Sequence, residues 1–514
     1  MRTDTLNIVQ RGFLAVLVMA LVFGCSYEFP EEPEESVGEL SSADLSSVVF
    51  LGGSNFSGVN NGALLPLFSD YSLPQIFMNH IQGNDISSWS SFSPSVETEN
   101  GFNIYKNDNL SETVGQYRIY YPTGDTTDFK ISTTAGESFA YSNVGESITN
   151  YSFPKAMLAD FTEAGRIVNP YLGAFNLNGG GSVTSQAVAT GPTFFVLNLG
   201  YEDLLGHAIT GAEGDIDVAN AQDVEYGDLM SDALFAQKLD EVVDAFLANN
   251  PDTKGALINI PYFLNFPYFI NVWYDLTPYV IDTPVQSIIG SRANQYNGAL
   301  ENYYRRNPGI SRADWRSFLD FGQNMGFDNA YDWGIVVQDE SLPEAYDTQG
   351  NLIPPVRHST REERVFMSIE NGLFSSKGGT FENALSEDNY LSESEIALIE
   401  SKITSYNQII VDKVANSNGR LTLIDFHSYF EELYDGLNLF LNSEPDGTLI
   451  DGVNFFPGIS NFGIFSADGL NLNPRGNALF INVLIESLNQ SFGGELEKVD
   501  PNAFAGTPIY TSEQ

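Results

Sequence analysis

Four short runs of β-branched and large apolar residues are spread along this 514-residue chain, and helical patterns separate them. Val48-Val49-Phe50-Leu51, Thr193 to Leu197, Ala256 to Ile260 and Leu421 to Ile424 each have the length of a buried strand. Ala233 to Ala248 has helical spacing between the second and third runs. Ile396, Ile399, Ile403, Tyr406, Ile410 and Val414 recur at three- and four-residue intervals before the fourth. Ala478 to Leu488 follows it, with Pro474 ahead and Gly493-Gly494 behind, a helix with start and stop signals. Such alternation predicts an α/β fold in three layers, α/β/α. Its doubly wound, mostly parallel sheet would have about five strands, with helices on both faces.

Two stretches fit the alternation poorly. Residues 85–148 are rich in Ser, Thr, Gly and aromatics, and Tyr117 to Tyr121 alternates like an antiparallel strand. Residues 283–365 hold polar and helical pieces. Both read as insertions in one domain spanning residues 45–500, with 501–514 as a C-terminal tail. The chain is 42% hydrophobic, enough for a sizeable core, and its net charge of −44 repels nucleic acid and anionic lipid headgroups.

The N-terminus reads as a processing segment. Arg2 and Arg11 precede an eleven-residue apolar run, Phe13 to Phe23. A membrane span needs about 20 residues, so the run fits a signal-peptide core instead. Val22-Phe23-Gly24-Cys25 looks like a bacterial lipobox, and Cys25 is the only cysteine, so no intramolecular disulfide can form. Residues 1–24 are therefore expected to be a lipoprotein signal peptide. Cys25 is expected to carry fatty acyl chains that hold the protein to a membrane. Residues 25–44, acidic and proline-bearing, read as a flexible tether.

The first strand ends in Gly52-Gly53-Ser54 and turns into a helix, which places Ser54 at the carboxyl end of a strand. Ligands and nucleophiles sit there in open α/β sheets. Further along come Phe153-Pro154-Lys155, Gly200-Tyr201-Glu202-Asp203 and Asp468-Gly469-Leu470-Asn471. In this order the blocks resemble those of the SGNH (GDSL-type) hydrolases, over about residues 45–493. The chain is similar to long SGNH-like lipoproteins of Bacteroidetes, and its acidic stretch just after Cys25 resembles their surface-export signals. The resemblance implies a flavodoxin-like SGNH fold and an outer-membrane lipoprotein at the cell surface. It makes Ser54 the nucleophile and puts Lys155 at the glycine of the second block. Gly200 opens the third block, and Glu202 stands where an oxyanion-binding asparagine belongs. Asp468 takes the place of the triad acid and Asn471 that of the base histidine.

The chemistry of these replacements is unfavourable for ester hydrolysis. An ionised carboxylate only accepts hydrogen bonds, so Glu202 cannot donate to an oxyanion. The Asn471 amide takes no proton near pH 7. Losing one oxyanion donor costs about 100- to 1000-fold in rate, and losing the base on the order of a million-fold. Lys155 and Glu202, of opposite charge, are expected to form a salt bridge that fills the oxyanion hole. Among the four histidines, His207 is best placed to substitute as a base, while His80, His358 and His427 read as packing or surface residues.

Tyr262, Phe263, Phe266, Tyr268 and Phe269 crowd one decapeptide, and Trp273-Tyr274 follow. The cluster reads either as a hydrophobic wall for a lipid, acyl or glycan ligand or as a core-packing loop. Acidic pairs such as Asp215 with Asp217 lack calcium-loop spacing, so no metal and no cofactor is assigned. Three functions stay open. One is a binding or assembly component with little or no hydrolase activity. A second is an active serine esterase on lipid or carbohydrate esters that uses Ser54. A third is a subunit of an outer-membrane transport or assembly complex, with an outer-membrane protein as partner.

Overall fold

The computed structural model describes residues 38–511, apart from 66–68, 84–94, 97–100, 106–113, 122–129, 138–140, 143–147, 165, 167, 175–180, 273–282, 320–333, 373–378, 380–382 and 435–446. Cys25, the signal segment, most of the tether and the Trp273-Tyr274 pair lie outside the described residues.

Four parallel strands form the central sheet in the order β1 (Val48–Gly52), β2 (Phe194–Asn198), β3 (Lys254–Ile258) and β4 (Leu421–Ile424). All four predicted strands are therefore present and adjacent. The expected fifth is replaced by a less regular segment, Thr149 to Phe153, outside β1. Phe50 N–H donates to Thr149 O and Tyr151 N–H to Phe50 O, both at 2.9 Å, and a parallel bridge joins Phe50 to Asn150. The chain thus leaves β1 toward one side for residues 149–153 and toward the other for β2. A crevice beyond the carboxyl ends of such strands is where open α/β sheets hold ligands.

Strand alternation explains the two helical layers. In β2, Phe194 meets Phe492 at 5.7 Å on one face, while Phe195 stacks on Phe246 at 4.7 Å on the other. The first face carries α2 (Leu73–Ile81), α7 (Phe426–Leu433) and α8 (Pro474–Phe492). The second carries α3 (Leu158–Thr162), α4 (Tyr201–Ile209), α5 (Asp232–Asn249) and α6 (Glu393–Ala415). Phe235 of α5 and Tyr406 of α6 stack at 3.8 Å. Helix ends follow local rules. Ser392 and Glu395 form a capping box on α6. Asn473 caps α8 before Pro474, and Gly493 closes it with φ +64°, a conformation glycine adopts freely.

The insertions and ends are tied to this body. Val114–Tyr120 pairs antiparallel with Lys130–Ala135, as the alternation at Tyr117 predicts. Ile509–Tyr510, in the segment read as a tail, adds a parallel strand to the same sheet, and Phe504 is buried. In the second insertion Tyr296, Leu300 and Tyr304 of the helix Thr283–Arg306 build a small core with Val336 and Val356. The end of the presumed tether is fixed as well: Ser41 N–H donates to Gly493 O at 2.7 Å and Ser42 N–H to Phe492 O at 3.1 Å. No helix among the described residues is long and apolar enough to cross a membrane.

Candidate functional site

Three site residues stand just past the carboxyl ends of three neighbouring segments of the sheet. Ser54 follows β1, Lys155 follows the segment ending at Phe153, and Glu202 follows β2. The apolar run of β1 is wholly buried and delivers Gly53 and then Ser54, which opens the short helix α1 (Ser54–Ser57). Ser54 is fully buried. Its N–H donates to Glu202 Oε1 at 2.6 Å, and Lys155 N–H donates to Ser54 Oγ at 3.2 Å.

Each contact has a local cause. Gly200 holds φ +91° and lets β2 turn sharply into α4, where a Cβ would meet the Phe235 ring at 2.7 Å. Glu202 then projects from the first turn of α4 across Gly53. A Cβ on Gly53 would lie 2.1 Å from Glu202 Cγ and 2.6 Å from Oε1, so glycine at 53 and glutamate at 202 fit as a pair. Lys155 has φ +56°, a left-handed conformation that glycine favours and a lysine adopts at a cost. This turn aims the Lys155 N–H at Ser54.

The salt bridge expected between Lys155 and Glu202 is not made as a direct contact. The Lys155 ammonium lies 5.0 Å from the Tyr226 ring centre and 6.0 Å from that of Tyr105. The Glu202 carboxylate is turned to Ser54 instead. Burial raises the Glu202 pKa; the Ser54 hydroxyl and amide oppose the shift, and attraction to Lys155 is the weakest of these influences. The carboxylate is anchored by the Ser54 amide rather than by the Lys155 ammonium.

Asp468 and Asn471 are both buried. Asp468 accepts N–H bonds from Gly62 at 2.5 Å, Leu470 at 2.8 Å and Asn471 at 2.7 Å. Its oxygens therefore staple its own turn to the loop that follows α1. Asn471 Nδ2 donates to Asp468 Oδ2 at 3.1 Å and to the Tyr105 hydroxyl at 2.9 Å. Asn471 Oδ1 is buried with no hydrogen-bond partner among the described residues. Burial pushes the Tyr105 hydroxyl well above its ordinary pKa, and the charges of Asp468 and Glu202 add to the shift. Tyr105 thus bonds Asn471 and lies within electrostatic reach of both Asp468 and Glu202. Neither Tyr105 nor Tyr226 belongs to a motif, so only the folded chain reveals them.

His207 takes no part in this network. Its Nδ1 meets Gly227 O at 2.6 Å, and burial lowers its pKa. His80, His358 and His427 likewise bond backbone carbonyls, those of Glu497, Gly334 and Ile260. A ring nitrogen facing a carbonyl must carry the proton, so these contacts are structural. The aromatic decapeptide resolves mostly as core. Phe263, Phe266 and Phe269 are buried, with Phe266 against Phe465 at 4.7 Å and Phe269 against Phe366 at 5.8 Å. These three pack as core, the second of the two readings, and Phe266 also lines a small cavity beside Asn55, Tyr201 and Leu470. Tyr262 and Tyr268 remain half-buried, with hydroxyls bonded to Glu400 and Ser368.

No group of three His, Cys, Asp or Glu side chains among the described residues could hold a metal ion. No protein-family model, no curated protein and no solved structure matches the chain.

Proposed function

We propose that the chain is a lipid-anchored protein of the outer-membrane surface, built on an SGNH-like scaffold whose nucleophile has been closed off. It acts as a binding or assembly component with an outer-membrane protein as partner. The observation that carries this reading is the 2.6 Å bond from Ser54 N–H to Glu202. In a serine hydrolase that amide is free to meet the oxyanion. Here a carboxylate of the chain itself uses it, and the residue beside Asp468 in the base position is an amide. The placing of residues 149–153 outside β1 supports the flavodoxin-like strand order of SGNH folds.

The test is hydrolysis of p-nitrophenyl acetate by the mature protein beside Ser54→Ala. The two should release p-nitrophenolate at the same rate. Turnover that disappears in Ser54→Ala would instead establish an active esterase with an unusual base.

Anchoring is tested separately. A fatty-acid probe fed to producing cells should label the protein, and Cys25→Ala should move it from the membrane to the soluble fraction. Unchanged membrane retention in that variant would remove the anchor from the proposal.

A further inference from the structure

A cleft of about 430 Å³ opens between the middle of α8, the hairpin Thr448–Ile450/Val453–Phe455 and the segment Lys498 to Pro501. None of its lining residues belongs to the Ser54 network. Its size falls in the roughly 300–1,000 Å³ range of ligand sites. The floor is apolar, built from Ile450, Leu479 and Val483, with Tyr429 at one side. The rim is acidic and comes from three elements: Asp451 at the hairpin turn, Glu486 on α8 and Asp500 on the C-terminal segment. The hairpin turn has φ +51° at Asp451 and +80° at Gly452, the tight two-residue form that presents Asp451 in a fixed place.

The charges at this rim do not cancel. Lys498 is the one cation of the lining, and its ammonium is already on Glu486 at 2.9 Å. Arg475, which the charge of Asp500 reaches, is buried over the Phe455 ring at 3.7 Å. Asp500 also accepts the Asn502 N–H at 2.8 Å. Asp451 and Asp500 both line this half-apolar cleft, and among the described residues neither forms an ion pair, with Arg475 touching Asp500 only through its longer-range charge. A chain of net charge −44 adds a long-range pull on cations.

We propose that this cleft binds an arginine or lysine side chain on an extended basic segment of a partner protein. The methylenes lie on Ile450 and Val483, and the cationic head sits between Asp451 and Asp500, as long cationic side chains do where apolar floor meets polar rim. The proposal is independent of Ser54, and no result of the esterase assay bears on it.

The test uses the mature chain and a fluorescein-labelled Ala-Leu-Arg-Leu-Arg-amide peptide, read by anisotropy. A matched Ala-Leu-Glu-Leu-Glu-amide peptide should not bind. Asp451→Asn with Asp500→Asn should weaken the arginine peptide about tenfold. Glu213→Gln with Asp252→Asn removes the same charge at exposed positions elsewhere and should change affinity less than about twofold. In the unsubstituted protein, methyl resonances of Ile450, Leu479 and Val483 should shift with the peptide while those of buried Ile403 stay put. No binding, equal weakening by both double substitutions, or methyl shifts elsewhere would overturn the proposal. Binding of free arginine amide as tight as the peptide would also overturn it, by making the ligand a small cation.

Discussion

Gly53→Ala should cost about 3 kcal/mol of stability, and in a chain that already lacks the Glu202 side chain it should cost almost nothing. The added Cβ would lie 2.1 Å from Glu202 Cγ, so the glutamate must leave its place. Leaving means giving up the buried bond to the Ser54 N–H. A hydrogen bond to a charged group contributes about 1.5–3 kcal/mol, and a displaced carboxylate in a dry site adds to the loss. Glu202→Ala alone strands the Ser54 N–H and should cost about 1–3 kcal/mol. In Gly53→Ala/Glu202→Ala the new methyl enters space that the glutamate has vacated. The double variant should then be about as stable as Glu202→Ala, giving a coupling of about 2–3 kcal/mol. Urea denaturation of the four proteins, with equal m-values, measures it. Additive losses would mean that Gly53 and Glu202 do not share the space. The coupling bears on the proposed function, because the same carboxylate that excludes a side chain at 53 occupies the Ser54 amide.

Much of the scaffold was legible because its signals are local. Ser392 with Glu395, and Asn473-Pro474 with Gly493, mark helix ends without help from the rest of the chain. The four apolar runs are buried strands wherever they pair. Residues 149–153 were missed as a sheet neighbour because Asn-Tyr-Ser carries no strand pattern, and β1 supplies its bonds from about a hundred residues away. The site was half legible. The blocks around 155 and 202 pointed to residues that do gather at Ser54. They could not tell that Glu202 would prefer a backbone amide to the Lys155 ammonium, since that choice depends on the turn at Gly200 and the bare Cα of Gly53. The aromatic decapeptide shows the same limit. An apolar ring reads alike on a wall or in a core, and only partners such as Phe465 and Phe366 decide.

The carboxyl edge of the sheet should also make stability fall as pH rises. Asp203 follows Glu202 in the first turn of α4, and its oxygens accept the Leu158 N–H at 3.0 and 3.4 Å. Burial pushes its pKa up from 3.8 to about 7, and the neighbouring charges of Asp160 and Glu202 push the same way. Between those values the folded chain keeps a proton that the unfolded chain releases. The derivative of unfolding free energy with pH is then negative across the window. Stability from this group is full below pH 3.8 and is lost as pH passes about 7. A shift of this size corresponds to roughly 4 kcal/mol. Glu202 and Asp468 have raised pKa values as well, so they add slope of the same sign. Asp203→Asn keeps an acceptor for Leu158 and never ionises. It should match the parent near pH 4 and exceed it by roughly 2–4 kcal/mol at pH 8. Thermal and urea unfolding at both pH values would show it, and a variant with the parent's full decline would move the cost to the other carboxylates.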